Sequence, residues 1–145
     1  MIQEVTRRGL FWMAVLCLAS CAGTFGSEVL SRPEEYRQVY EAKEKYILKA
    51  VAGVLEEKKM GKNVAIDYAG NRVDSDYVVS GEWRTRTHAR VKRINWKECE
   101  LTLVVTTEKK TDKGWEMRRL LRKEQYDTLF SVIELKIYEE MSRMY

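Results

Sequence analysis

One histidine, one proline and eight scattered glycines are all that 145 residues hold of three residue types on which many active sites and tight turns depend. With His88 alone, a Ser-His-Asp triad or a His-rich metal site has no material to be built from. Arg86 and Arg90 share its strand parity, and no carboxylate stands close in sequence to orient it. The glycines form neither GxGxxG nor GxxxxGK, so a glycine-rich phosphate loop is absent. No repeat or low-complexity tract is visible. Asp74-Ser75-Asp76, with Asp67 nearby, is the one compact acidic group. Carboxylates in a loop hold Ca²⁺ weakly, but aspartate and serine bonding to their own backbone make a turn from the same residues, and the turn is the expectation. A carboxylate-pair hydrolase needs no sequence signature. No motif favours one here, so the expectation is a protein that is not an enzyme, with no metal and no cofactor.

What is present describes a globular chain. Apolar residues make up 45% and charged residues 33%, enough apolar surface to offset chain entropy. The length suits one domain, and a domain of this size buries roughly two-thirds of its unfolded surface without needing a metal or disulfide.

The first 21 residues divide into three physically distinct pieces. Arg7 and Arg8 form a cationic start, which stays on the cytoplasmic side during export. Leu10 to Ala19 is an unbroken apolar run of ten residues. As a helix it spans about 15 Å, half of a bilayer's hydrocarbon core, so it suits a secretory signal and not a membrane span. Leu18-Ala19-Ser20-Cys21 follows, and this resembles the lipobox of bacterial lipoproteins. The resemblance, confined to the leader, implies cleavage before Cys21 and lipid attachment to its sulfur. Several acyl chains, each contributing about 0.8 kcal/mol per buried CH₂, are ample for stable anchoring. Thr6-Arg7-Arg8-Gly9-Leu10-Phe11 resembles a twin-arginine signal with leucine and phenylalanine transposed. That departure and the strongly apolar run favour general secretion of an unfolded chain. Ala22 stands where aspartate would follow the cysteine, and by the same resemblance to lipoproteins this implies the outer membrane, with the domain facing the periplasm, if the host has two membranes.

The expected organisation is therefore a signal peptide over 1–20, a lipidated tether over 21–31 and one domain over 32–145. The tether (AGTFGSEVLS after Cys21) has two glycines and no periodicity, and ten such residues reach only about 15–20 Å. Cys17 leaves with the leader and Cys21 is acylated, so Cys99 has no intramolecular partner. Its Leu101-Leu103 neighbourhood favours a small buried hydrophobe over a thiol that pairs between molecules.

Within the domain, Ser31-Arg32-Pro33-Glu34 reads as a capping box with proline in the first turn. Tyr36, Tyr40, Ile47, Val51, Val54 and Leu55 then recur at helical spacing. Gly61 is a plausible stop. That predicts a helix of some 28 residues, about 42 Å long, whose N-terminal half with Tyr36 and Tyr40 protrudes or meets a partner. Val64–Tyr68 suits a short strand ended by Gly70-Asn71. From Tyr77 to Lys92 residues alternate: Tyr77, Val79, Gly81, Trp83, Thr85, Thr87, Ala89 and Val91 on the covered face, Glu82, Arg84, Arg86, His88, Arg90 and Lys92 in solvent. Sixteen residues are too many for one straight strand, so a bend or hairpin is expected, with Gly81 the candidate. Leu101–Thr107 is the most apolar strand and the expected centre. Thr111–Gly114 is a hairpin turn, Trp115–Leu121 the last strand, and Gln125–Arg143 a closing helix with Leu129, Ile133, Ile137, Met141 and Met144 on one face. A sheet with one polar face has one face to cover, which two amphipathic helices do. The predicted class is α+β: a two-layer sandwich, an antiparallel sheet of three to five strands with an N-terminal and a C-terminal helix on one face.

Charge is unevenly spread. Residues 77–123 hold 13 basic and six acidic side chains, and the rest of the chain from Cys21 holds 11 basic and 15 acidic. Arg84, Arg86, Arg90, Lys92, Arg93 and Lys97 follow one another with no carboxylate between Trp83 and Lys97. Arginine's planar fork suits phosphate or carboxylate, so the cluster is a candidate site for anionic glycolipid or cell-wall polymer, with nucleic acid the least expected ligand of an envelope-anchored domain. The same residues also suit a solvated sheet face that resists edge aggregation. Two functions follow: an envelope lipoprotein that serves as accessory or assembly subunit for a protein partner, or a binder of anionic glycolipid or wall polymer through the basic face.

Overall fold

A computed structural model of the chain describes residues 28–144. The expected leader, the lipobox with Cys21 and tether residues 22–27 lie outside the described residues. The elements run β1 (Glu34–Tyr40), α1 (Glu44–Glu57), β2 (Lys62–Asp67), β3 (Arg72–Asp76), β4 (Val78–Ser80), β5 (Trp83–Arg93), β6 (Cys99–Thr111), β7 (Gly114–Met117) and α2 (Lys123–Ser142). All strands belong to one antiparallel sheet of seven, ordered β1-β6-β5-β3-β2, with β4 beside β5 and β7 beside β6. The two helices cover one face. Leu101, Leu103 and Val105 of β6, Ala89 and Val91 of β5 and Val73 of β3 are buried with Ile47, Val51, Leu55, Ile133 and Ile137 of the helices. The chain is an α+β sandwich.

The single long helix expected after Ser31 is two elements. Residues 34–40 are an edge strand that pairs along its whole length with β6, from Glu34 opposite Val105 to Tyr40 opposite Cys99. The physical reason lies in the spacing. Tyr36 and Tyr40 are four apart, which is one helical turn but also two strand repeats, so periodicity cannot separate the two states. The free ladder edge of β6 decides it, since its backbone groups need partners. Tyr36 and Tyr40 accordingly do not protrude: Tyr40 is buried, its hydroxyl donating to Phe130 O at 2.7 Å. Tyr36 is half-buried and stacks on Tyr126 with ring centroids 3.7 Å apart.

Helix α1 keeps the expected apolar stripe but does not end at Gly61. Lys59 adopts φ +53°, Met60 N–H donates to Leu55 O and Lys59 N–H to Glu56 O. That is a Schellman termination with a lysine where glycine is usual, and buried Met60 packs back toward the helix. Gly61 serves another purpose, because a Cβ there would collide with the Ser75 side chain.

The alternating stretch from Tyr77 folds as a hairpin at Gly81, which has φ +59°. Ser80 pairs with Trp83 across a two-residue turn, so residues of opposite parity share a face and the alternation flips. Thr87, Ala89 and Val91 point to the helices as expected, while Tyr77 and Val79 sit with Arg84 on the outer face, Val79 being 62% exposed. Asp74-Ser75-Asp76 is not a turn but most of β3. Buried Ser75 accepts from Thr87 N–H at 3.0 Å and donates to Thr87 O at 2.9 Å. Turn chemistry falls instead on Asp67, whose carboxylate accepts from Gly70 N–H. The Thr111–Gly114 turn forms as expected, with Gly114 at φ +113°. In α2, Arg122 N–H donates to Gln125 Oε1 at 2.7 Å, and Leu129, Ile133 and Ile137 are buried while Met144 is exposed. Cys99 is fully buried, and burial pushes its thiol pKa up.

Candidate functional site

The six cations of the basic stretch do not form one patch. Arg84, Arg86, Arg90 and Lys92 project from the outer face of β5. Arg93, in register with buried Cys99, turns toward the helices, and Lys97 lies in the β5–β6 turn. Four of the six meet carboxylates. Arg84 binds Glu108 at 2.6 Å, Arg90 lies 3.9 Å from Glu35, Arg93 grips Glu44 at 2.6 Å and Lys97 reaches Glu41 at 3.3 Å. Glu35 and Glu44 are held below the ordinary carboxylate range, chiefly by hydrogen bonds from Arg37 and Arg93 respectively.

At the far end of the outer face Arg84 is sandwiched between Tyr77 and Trp115, 4.1 and 4.5 Å from their ring centroids. Glu108 lies under it and accepts from the Tyr77 hydroxyl. Burial raises the Glu108 pKa, but its bonds from Tyr77 and Arg84 outweigh this and hold it low. Arg86 lies over the other side of this cluster, 4.7 Å from the Tyr77 centroid, and its Nε is buried without a partner. Long side chains laid along the sheet in this way explain why Thr102 and Thr106 are buried on a nominally open face.

His88 does have a carboxylate to orient it, contrary to the expectation from sequence: its Nδ1 lies 2.9 Å from Asp74 Oδ1. The partner was hidden because it comes from β3, fourteen residues away and brought alongside only by strand pairing. Arg72 bridges Asp74 to Asp67 at 3.5 and 3.2 Å. The outer face is thus a lattice of alternating charges.

A second cluster marks the end of the sheet where the described chain begins. Glu28 O accepts from Arg119 N–H, Leu30 N–H donates to Met117 O, and Val29 bridges Arg118. The Arg119 guanidinium ties Glu28 to Glu34, each at 2.9 Å. Buried Glu34 also accepts from the Tyr36 hydroxyl at 2.6 Å. Burial and that bond push the Tyr36 pKa up to about 12, and burial raises Tyr126 further. An open cleft of about 630 Å³ adjoins the cluster, with Arg32 and Arg37 on its wall.

The opposite end carries the feature that sequence reasoning missed. The β5–β6 turn presents Trp96, 87% exposed, and Ile94, 52% exposed. The turn is nevertheless firmly built. Asn95 Oδ1 accepts from both Lys97 N–H at 2.9 Å and Glu98 N–H at 2.8 Å, while its amide donates to Glu98. Ile94 N–H donates to Glu98 O. Arg93, fixed by Glu44, donates to the carbonyls of Asn95 and Trp96 at 3.2 and 3.3 Å. An ordered turn that leaves an indole in water is a ready anchor, because little entropy is lost when it binds. The signal available in the sequence was Ile94-Asn95-Trp96, two large apolar residues flanking a turn former.

A third feature is an apolar groove of about 340 Å³ between the end of α1 and the first turns of α2, floored by Met60, Leu121, Leu129 and Val132, with Lys58, Gln125 and Thr128 at its rim. No helix among the described residues is long and apolar enough to cross a membrane.

No family model matches this chain, and no curated protein matches it. Among solved structures, it is similar to the crystal structure of the di-domain ARO/CYC BexL from the BE-7585A biosynthetic pathway, with a TM-score of 0.51 and 10% identity over 74% of this chain. The alignment spans 46% of the BexL chain, so this chain matches less than half of that protein's length. It also aligns with a conserved protein from Geobacillus kaustophilus at 8% identity and a TM-score of 0.37, over 75% of this chain and 94% of that one. The BexL likeness is one of fold alone and transfers no residue role.

Proposed function

We propose that this chain is a non-catalytic, membrane-anchored envelope lipoprotein that acts as an accessory or assembly subunit, and that the Trp96 turn makes its protein contact. The carrying observation is that turn: a rigid apolar tip at the end of the sheet away from Glu28. Nine residues of β6 separate Cys99, beside the tip, from Glu108, whose partner Met117 binds Leu30. At 3.3 Å per residue the tip stands about 30 Å from where the described chain begins. An anchor on Cys21 would hold the domain by one end and present the other.

The charge layout supports a protein partner over the alternative, a binder of anionic glycolipid or wall polymer. A polyanion site needs cations free to exchange their partners, and Arg84 and Arg93 are held by carboxylates at 2.6 Å while Lys97 lies 3.3 Å from Glu41. The mutual satisfaction of Glu34, Tyr36 and Arg119 supports a structural role for the most buried ionisable cluster. If the host has two membranes, the anchored domain faces the periplasm from the outer membrane.

Two experiments test this reading. Labelled palmitate should enter the wild-type chain and not the Cys21→Ser variant; equal labelling would remove the anchor. The lipidated protein should then be used to capture partners from detergent-solubilised host envelope, with protein and glycolipid both read by mass spectrometry. A stoichiometric protein lost with Trp96→Ala, and retained when Arg84, Arg86, Arg90 and Lys92 are changed to serine, supports the subunit reading. Anionic lipid or polymer lost in the four-serine variant would replace it with the alternative.

A further inference from the structure

We infer that the protein partner of the Trp96 turn is a second copy of this chain, whose apolar groove between α1 and α2 receives the indole. The inference rests on the subunit reading above and names the partner within it. Three observations meet. First, knob and hole match in chemistry and scale. The groove is floored by Met60, Leu121, Leu129 and Val132 and holds about 340 Å³, enough for one indole and part of Ile94. Second, they lie toward opposite ends of the molecule. The tip adjoins Cys99, whereas the Met60 carbonyl binds Thr87, which pairs with Val105 six residues further along β6. That is about 20 Å along the sheet, and Leu121 follows the chain segment bound to Glu28. A tip at one end and a receptor toward the other generate head-to-tail contacts and not a closed two-fold pair.

Third, the rims are electrostatically compatible. At the tip Arg93 and Lys97 are neutralised by Glu44 and Glu41, and Lys92 stands opposite Glu100 in the register. Glu98 is left with only the Asn95 amide as a side-chain partner. Lys58, the one charged residue lining the groove, has no carboxylate bound to it among the described residues. Docking brings these two unpaired charges to the same rim.

The contact is small. One tryptophan brings about 150–250 Å² of surface, well below the roughly 800 Å² per partner of a stable complex. Association is therefore weak in dilute solution and grows with the concentration of the chain.

The test uses the mature lipidated chain at increasing concentration in detergent, read by sedimentation velocity with the micelle mass subtracted. Wild type should grow beyond a dimer with concentration. Trp96→Ala removes the knob and Thr128→Arg fills the groove from an exposed position; each should stay monomeric with an unchanged circular dichroism spectrum. Mixing the two should restore association, because one supplies an intact groove and the other an intact tip, and it should stop at a one-to-one dimer. Monomeric wild type at every concentration, or oligomers that survive both substitutions, would overturn the inference. If Trp96→Ala loses a different envelope protein while all forms remain monomeric, the self-association falls and the subunit reading stands. Monomers together with no captured protein would sink both.

Discussion

Arg93 donates from Nε and Nη2 to the two carboxylate oxygens of Glu44, at 2.7 and 2.6 Å, and joins the end of β5 to the first turn of α1 across 49 residues of sequence. The same guanidinium reaches the carbonyls of Asn95 and Trp96 through Nη1. One side chain thus connects the helical layer to the exposed tip, and its fork geometry is what allows it to serve both.

Arg93→Ala should loosen the tip without unfolding the domain. Backbone amides of Lys97 and Glu98 are expected to exchange several-fold faster, more so when Asn95→Ala removes their acceptor as well, with little change in melting temperature. Hydrogen exchange with mass spectrometry reads this directly. Unchanged protection would mean that the strand ladder alone holds the turn.

Lys59→Gly should stabilise the protein. Lys59 occupies the left-handed position of the α1 termination at φ +53°, where glycine has no Cβ penalty. The gain, reduced by glycine's greater freedom in the unfolded chain, is about 0.5–1 kcal/mol. Urea unfolding of the two proteins measures it, and a loss of stability would show that the lysine side chain makes a contact of its own.

Tyr36 should titrate late. Its folded pKa is about 12, raised by burial and by its bond to Glu34, against about 10 in an unfolded chain. Because the folded value is the higher one, the stabilisation is complete below pH 10 and disappears as pH rises from 10 toward 12. Absorbance of tyrosinate followed with pH should show, among the late-titrating tyrosines, a step near pH 12 whose amplitude Tyr36→Phe reduces by one residue. If the variant's curve coincides with the wild type's, the hydroxyl is not so placed.

Glu108→Ala should destabilise more than its exposed neighbours do when changed. It leaves Arg84 without its carboxylate and the Tyr77 hydroxyl without an acceptor in a part-buried cluster. A loss of about 2–3 kcal/mol is expected. The Glu108 pKa is lowered in the fold, so its contribution is present at neutral pH and is lost on acidification through that lowered value. Denaturant titrations at pH 7 and pH 3 should therefore show a smaller wild-type-to-variant difference at pH 3; an equal difference would assign the effect to lost packing.

The elements most legible in the sequence were those whose local chemistry and burial agree. Residues 101–107 are the most apolar strand segment and became an interior strand. Gly114 marked a turn that needs positive φ, and Leu129, Ile133 and Ile137 spelled one helical stripe. Residues 34–40 are ambiguous in the sequence because tyrosines four apart satisfy both periods, and the difference depends on a free edge of β6, 59 to 71 residues away. The Asp74 partner of His88 and the carboxylate partners of Arg84, Arg90, Arg93 and Lys97 were invisible for the same reason, since every one is distant in sequence and brought alongside only by the fold.

The sequence by itself determined the α+β class, the position of the basic stretch and the lack of material for a histidine-based site, because composition and short-range periodicity carry those properties. Only the tertiary structure decided what the charges do. Whether an arginine is free to bind a ligand or is bound to a glutamate depends on strand register and helix placement, which are set by long-range pairing. The same is true of Trp96: its residue type was always evident, but its exposure on a rigid tip exists only once Glu44, Arg93 and Asn95 have been brought together.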